Sequence, residues 1–142
     1  MLDTNFFRGL SNKIRKDYVE HTFEKGKDVF GRTFKGYSEE YGIAKRANKF
    51  KRQASAFANK TSPVLTGDFM NDCKAFSTSN SFGIKWASFG SRVKHLADRD
   101  RKVTTKSQPF PEPILKMINV DINKEVKRKL PKSKTIRIKI GK

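Results

Sequence analysis

The stretch CKAFSTSNSFGIKW, residues 73–86, decides the fold class of this chain. Phe82, Ile84 and Trp86 alternate with small or basic residues, which is the period-two pattern of a strand with one buried face. The short polar side chains of residues 77–81 can satisfy backbone groups within a tight turn. A strand on each side of this turn therefore predicts an antiparallel β-hairpin.

Before the hairpin, the sequence predicts an amphipathic N-terminal helix. Its apolar positions recur every four residues, at Phe6, Leu10, Ile14 and Tyr18. This spacing places them on one helical face, which continues to Phe23 and weakens at Gly26. We expect Thr4 or Asn5 to cap the helix, because either side chain can accept a hydrogen bond from the free N–H groups of the first turn.

After the hairpin, the clearest apolar stripe of the chain predicts a C-terminal helix. Its positions are Ile114, Ile118, Ile122, Val126 and Leu130. Pro113 suits the first position of this helix, because its missing N–H would have no partner there, and Pro131 ends the helix. Three basic residues precede that end, where the helix dipole favours positive charge.

Two shorter regions leave alternatives open. Ser38 is expected to cap a helix whose apolar positions are Ile43, Ala47, Phe50, Ala54 and Phe57. We favour a core-facing helix with a basic, solvated back over a helix that binds DNA or a membrane surface, and a loop is equally compatible. Further along, Ser91 should cap a short helix, residues 98–102 should form an exposed loop, and residues 103–105 a brief strand.

The last residues, TIRIKI at 135–140, alternate isoleucine with polar or basic side chains. This pattern predicts a half-buried edge strand. The charges of Arg137 and Lys139 would disfavour uncontrolled pairing of this edge with other chains. The predicted fold is α+β: a small antiparallel β-sheet flanked by an N-terminal and a C-terminal helix, with a terminal edge strand. We assign residues 1–131 to a single domain and residues 132–142 to a basic arm.

Charge points to an anionic partner. The chain has 142 residues with 32 basic and 14 acidic side chains, a net charge of +18. A positive field of this size attracts polyanions and opposes packing of identical subunits without counter-charge. We expect contact with nucleic acid or an acidic protein surface; a generally basic, soluble surface is the simpler alternative. No apolar run is long enough to span a bilayer, so no membrane partner is expected.

Enzymatic chemistry has little support in the sequence. It lacks the glycine-rich turns between strand and helix that bind nucleotide phosphates. Cys73 and His95 are better explained as a buried cysteine and a surface histidine than as a nucleophile and its base. Asp98 and Asp100 lie among positive charges, which disfavours a cation site. We expect no catalytic residue, metal or cofactor. The single cysteine and the lack of a signal-peptide pattern predict synthesis in a reducing cytoplasm.

Four short motifs occur in a set order across residues 5–130: a Tyr-Ser segment, a Leu-Thr-Gly turn before the hairpin, a short helix with histidine, and a Pro-Phe pair before the last helix. Their positions are Tyr37, Ser38, Tyr41, Leu65, Thr66, Gly67, His95, Pro109 and Phe110. This order resembles the virion morphogenesis and tail-completion proteins of tailed bacteriophages. The chain departs from that pattern at residues 98–100, where family members often have a glycine.

The resemblance implies a non-enzymatic structural protein of the virion neck or the top of the tail, synthesised in the host cytoplasm. Such proteins form a ring, often of six copies, at the head–tail junction. DNA passes through the lumen, and portal, adaptor, stopper or tail-tube proteins are neighbours. Residues that would face a neighbour or the DNA are Arg99, Arg101, Lys102, Lys127, Arg128, Lys129, Arg137 and Lys139. The alternative is a stand-alone basic nucleic-acid-binding module.

Overall fold

The structure, a computed structural model, describes residues 2–50, 52–57, 60 and 67–130. Its elements in chain order are helix α1 (Thr4–Val19) with a π-helical extension (Glu20–Glu24), α2 (Glu39–Arg46), a 3-10 turn (Ser55–Phe57), α3 (Asp68–Asp72), strands β1 (Cys73–Ser77) and β2 (Phe82–Trp86), α4 (Ser91–Ala97) and α5 (Glu112–Lys129). This is the predicted α+β class, with a helix on each side of a two-stranded antiparallel sheet in the sequence. The predicted terminal strand and the arm at 132–142 lie outside the described residues.

The hairpin forms where the alternation predicted it, with Cys73 opposite Trp86 and Ser77 opposite Phe82. Ser11 of α1 fastens the helix to this sheet: its hydroxyl donates to the carbonyl of Phe76 at 2.6 Å and accepts from the N–H of Gly83 at 3.1 Å. The serine is buried, and both of its bonds reach the two strands. A polar residue inside the apolar face of α1 therefore sets how the helix lies on the hairpin.

The N-terminal helix begins one residue earlier than predicted. Asp3, rather than Thr4 or Asn5, is the cap, because its carboxylate accepts the N–H of Phe6 at 2.9 Å. The predicted continuation to Phe23 is correct, since the π-helical turn carries the chain to Glu24. The predicted stripe is also correct at its centre, where Ile14 and Tyr18 are fully buried.

Helix α5 packs against α1 along the predicted isoleucine stripe. Glu112 is its first residue and Pro113 its second, so the proline lies one position further into the helix than predicted. The buried side chains shared by the two helices are Leu10, Ile14, Tyr18, Ile114 and Ile118. We call this group the helix–hairpin core, because Phe82, Ile84 and Trp86 of β2 pack against it.

A second group of buried side chains, the aromatic core, consists of Phe23, Phe34, Phe69 and Val103. It is built from the π-helical turn, two loops and α3 rather than from long elements. Trp86 joins the two cores: its indole stacks on Phe69 with ring centroids 5.2 Å apart and meets Tyr18 edge-on at 6.0 Å. Tyr18 adds a second link, because its hydroxyl donates to the carbonyl of Val103 at 2.6 Å.

Two predicted elements differ in the structure. The helix predicted to continue to residue 57 ends at Arg46, and the described residues that follow it fit the loop alternative instead: Asn48 and Arg52 adopt the left-handed conformation with φ of 58° and 56°. The strand predicted at 103–105 does not form, because Val103 instead turns into the aromatic core. None of the described helices combines the length and the apolar content needed to cross a membrane.

Candidate functional site

A cleft of about 940 Å³ opens between the segment before α2 and helix α4. Its lining residues are Lys35, Gly36, Tyr37, Ser38 and Tyr41 from one side, Ser91, Arg92, His95, Leu96 and Arg99 from the other, and Phe69 and Arg101. Four of these side chains are basic, and none of the described residues that line the cleft is acidic. We call it the basic cleft.

Helix α4 forms the cationic wall of the basic cleft. Arg92, His95 and Arg99 are spaced by three and four residues, so they project from the same side of the helix and the turn that follows it. All three are exposed. Lys94 is not among the cleft residues, and its ammonium pairs with Asp98 at 3.6 Å. The charge of the helix is therefore divided between the cleft and another surface.

The start of α4 is positioned by Asp72, the last residue of α3. Its carboxylate accepts the N–H groups of Phe89 at 2.9 Å and Ser88 at 2.8 Å, and these two hydrogen bonds lower the pKa of Asp72. Leu96 is half-buried and packs on the aromatic core, which fixes the rotation of the helix. The arginines of α4 are thus presented by a helix that is held at its start and along its inner face.

The opposite wall is aromatic. Tyr37 and Tyr41 are tilted against each other with centroids 4.7 Å apart, and Tyr41 continues to Phe50 at 5.2 Å. The guanidinium of Arg101 lies 4.0 Å from the centroid of Tyr37, a cation–π distance. Burial raises the pKa of Tyr37 to about 12, although Arg101 opposes the shift. The rings of this wall therefore contact one another, and Tyr37 also contacts the guanidinium of Arg101.

Arg101 is buried, with 6% of its surface exposed. This corrects the prediction that the whole of residues 98–102 is an exposed loop. Its guanidinium donates to the carbonyl of Lys35 in addition to its contact with Tyr37. Arg101 therefore ties the two walls together from behind, while the neighbouring Arg99 remains exposed at the rim.

Lys45 of α2 is the most unexpected residue near the cleft, since it is only 1% exposed. Its ammonium donates to the carbonyl of Lys60 at 2.7 Å and lies 4.7 Å from the ring centroid of Tyr37. Burial, followed by the nearby charge of Arg101, lowers the pKa of Lys45 to about 8. Helix α2 is turned opposite to the predicted stripe, with Ile43 half-exposed and Lys45 inside.

The other described motif residues, Gly67, Pro109 and Phe110, are not among those that line the cleft. Gly67 is buried and precedes α3 with φ of 89°, a conformation that favours glycine. Phe110 packs against the helix–hairpin core, 6.4 Å from Tyr18, and the carbonyl of Pro109 accepts the Thr104 hydroxyl at 2.8 Å. Leu65 and Thr66 lie outside the described residues. These described positions serve the packing of the domain.

The basic residues of α5 lie at a separate groove of about 930 Å³ between α1 and α5. Lys127 and Arg128 line it, together with acidic side chains. Arg128 forms a two-point ion pair with Glu125, at 2.8 and 2.9 Å, and Lys129 lies 3.3 Å from Asp3. Charges in this groove are therefore mixed.

The predicted interface residues are thus distributed unevenly. Arg99 and Arg101 share the basic cleft, and Lys102 is half-buried beside it, with its carbonyl accepting the N–H of Val29 at 2.9 Å. Arg137 and Lys139 lie outside the described residues. Lys35 and Arg92 also line the cleft and were not predicted from the sequence; the signal for Arg92 was its spacing of three and seven residues from His95 and Arg99.

The chemistry available in the cleft is anion binding. Guanidinium groups bind carboxylates and phosphates with paired hydrogen bonds. Cys73 is not in the cleft: it is fully buried in β1, and burial raises the pKa of its thiol to about 11. Within the described ranges, no group of three His, Cys, Asp or Glu side chains could hold a metal ion. No protein-family model, curated protein or solved structure matches this chain.

Proposed function

We propose that this protein is a non-enzymatic structural subunit of a tailed-phage virion, forming a ring at the head–tail junction around the DNA channel. The observation that supports this best is the convergence of Tyr37, Ser38, Tyr41 and His95 on one cleft. These residues carry the resemblance to tail-completion proteins, and they come from two separate segments of the chain. A shared site gives them a common role in presenting a contact surface.

The charge of the chain is consistent with this role. A ring of subunits with a net charge of +18 each needs anionic counterparts, which DNA in the lumen or acidic neighbouring proteins would supply. Heterologous contacts around a closed ring require two different surfaces on each subunit. The mixed-charge groove between α1 and α5 offers one such surface, since its acidic and basic side chains can pair with those of a second copy, and this leaves the basic cleft for an anionic neighbour.

The mass of the soluble protein tests the proposal. We expect light scattering of the purified full chain to give a closed oligomer of about six times the 16.3 kDa subunit mass. Deleting residues 132–142 should reduce assembly more than the folding of the domain, because an edge strand can pair with another chain. Loss of cooperative unfolding in that truncation would instead assign the segment to the core of the subunit.

The second candidate, a stand-alone nucleic-acid-binding module, is favoured by the four basic side chains of the cleft. Such a module would remain monomeric and would bind duplex DNA with an affinity that falls steeply with salt. A monomer with that behaviour at every protein concentration would contradict the structural proposal. An oligomer whose assembly is independent of added DNA would contradict the module.

A further inference from the structure

We propose that the basic cleft binds an acidic peptide segment of a partner protein, one that carries at least one apolar side chain among its carboxylates. The inference goes beyond the proposed function, since it names what fills the cleft whether or not the protein forms a ring. It rests on three properties of the cleft: the charge of its rim, the apolar character of its floor and the occupied faces of its aromatic rings.

The rim provides the charge. Arg92 and Arg99 stand exposed on the α4 side and Lys35 stands exposed on the other, so positive side chains face the opening from both walls. Arg101 adds a buried positive charge behind them. Carboxylates match this arrangement, because an arginine can hold one with two parallel hydrogen bonds. A second copy of this basic chain is a poor occupant for the same reason.

The floor provides the apolar contact. Phe69 and Leu96 line the cleft between the charged walls, and both belong to the aromatic core or pack against it. Phe69 is only 4% exposed, so the open apolar surface of the floor belongs mainly to the half-buried Leu96. An apolar side chain of the partner would gain by covering it, whereas a bare polyanion would not. A cleft with an apolar floor and a cationic rim therefore fits a segment that alternates acidic and apolar side chains.

The rings argue against nucleic acid. Single strands bind to basic grooves by stacking bases on free aromatic faces. In this cleft Tyr37 faces Tyr41 and Arg101, and Tyr41 faces Phe50. Tyr37 and Tyr41 are both half-buried, so they offer a base less open face than a free stacking platform does, whereas a carboxylate needs only the exposed guanidinium groups of the rim.

Fluorescence anisotropy with the full chain tests the proposal. The probe is a labelled acidic decapeptide with two leucines, compared with the same peptide carrying serines in place of the leucines and with a short duplex DNA. The double variant Arg92→Glu/Arg99→Glu should bind the leucine peptide about tenfold more weakly, because two rim contacts become repulsive. The serine peptide should also bind wild type about tenfold more weakly, since the floor loses its apolar contact.

Lys94→Glu is the matched control, since it makes the same charge change on the same helix outside the cleft. We expect its peptide affinity to stay within about twofold of wild type. The single variants Arg92→Glu and Arg99→Glu are measured beside it, because each makes the same one-residue charge change within the cleft. A loss for Lys94→Glu as large as that of either single cleft variant would show a general charge effect and overturn the proposal, as would no measurable binding of the leucine peptide to wild type. Equal binding of the leucine and serine peptides would overturn it too. Tighter binding of duplex DNA that the double variant abolishes would assign the cleft to nucleic acid instead.

Discussion

Around Ile14 and Ile118, two long helices close on each other and on a hairpin through side chains that are mostly aliphatic. Around Phe23 and Phe69, short elements and loops meet through aromatic rings, and buried charged groups hold the backbone between them. Lys45 donates to one loop carbonyl, Arg101 to another, and Asp28 accepts the N–H groups of Phe30 and Arg32 at 3.0 and 2.9 Å.

These two regions, the helix–hairpin core and the cleft half (the aromatic core with its buried charged groups), differ in how directional their contacts are. Aliphatic contacts scale with buried area and have little directionality, so the helix–hairpin core gains most of its stability from them, while Ser11 supplies the hydrogen bonds that orient α1 on the hairpin. Hydrogen bonds from buried ions fix particular atoms, so the cleft half depends on a few polar groups whose loss leaves a partner unsatisfied. The proposed binding surface lies in the cleft half, where a few hydrogen bonds from buried charged groups fix the backbone.

Removing Trp86, the residue that joins the two cores, should lower the free energy of unfolding more than any other change proposed here. Trp86→Ala removes the ring that stacks on Phe69 and meets Tyr18, together with the indole N–H that donates to the carbonyl of Phe69 at 3.2 Å. We expect the free energy of unfolding to fall by about 4 kcal/mol, the usual cost of truncating a large aromatic side chain. Urea denaturation followed by circular dichroism measures it.

Val120→Ala is a control for this prediction, because Val120 is 55% exposed on α5. Its loss should stay below about 0.5 kcal/mol, as for most surface changes. In Trp86→Ala, hydrogen exchange should rise in both α1 and α4. Faster exchange in only one of them would mean that the tryptophan does not join the two cores.

Arg101→Met should destabilise the cleft half and leave the helix–hairpin core unaffected. It removes the donor to the Lys35 carbonyl and the cation over Tyr37 from a buried position. We expect a loss of about 2 kcal/mol, because the variant loses a hydrogen bond from a charged donor at a buried position. Hydrogen exchange should rise in residues 35–41 and stay unchanged in α5.

Arg99→Met is the matched variant, because Arg99 is exposed at the same cleft. Its free energy of unfolding should lie within about 0.5 kcal/mol of wild type. A similar loss in both variants would indicate that general charge, rather than the buried contacts of Arg101, stabilises the cleft half.

The smallest effect concerns Lys45 and pH. Its pKa is about 8 in the folded protein against an ordinary 10.5, so the unfolded chain binds more protons between these values and stability rises with pH there. Relative to Lys45→Met, wild type should gain up to about 1 kcal/mol between about pH 7.5 and about pH 9. Comparing the two proteins cancels the opposite contribution of Cys73, whose raised pKa lowers stability above pH 9.

Thermal or urea denaturation of both proteins across that interval measures the difference. A flat difference would show that Lys45 is solvated and carries its ordinary pKa. A difference that shrinks with rising pH would reverse the assigned direction of the shift.

The same contrast explains what the sequence predicted. Period-four and period-two patterns located α1, α5 and the hairpin, since a regular element places a periodic set of side chains on one face. Helix α2 was misoriented because its stripe ran through Ile43, while the structure buries Lys45. A buried lysine has no signature in hydrophobic periodicity, since its burial depends on acceptors such as the Lys60 carbonyl that are distant in sequence.

The cleft was partly predictable. The motif order singled out Tyr37, Tyr41 and His95, but did not indicate that they would meet in one cleft. Arg92 could have been found from helical spacing alone. The burial of Arg101 could not, because it follows from the packing of Val103, two residues later, into the aromatic core.

The state of Cys73 has a practical consequence. The side chain is fully buried in β1, and its thiol remains protonated at neutral pH because burial raises its pKa to about 11. Maleimide reagents react with accessible thiolates, so Cys73 of the folded chain should not be labelled. A spin label or dye attached through a new cysteine at an exposed position would be the sole reporter, with no need to replace the natural residue.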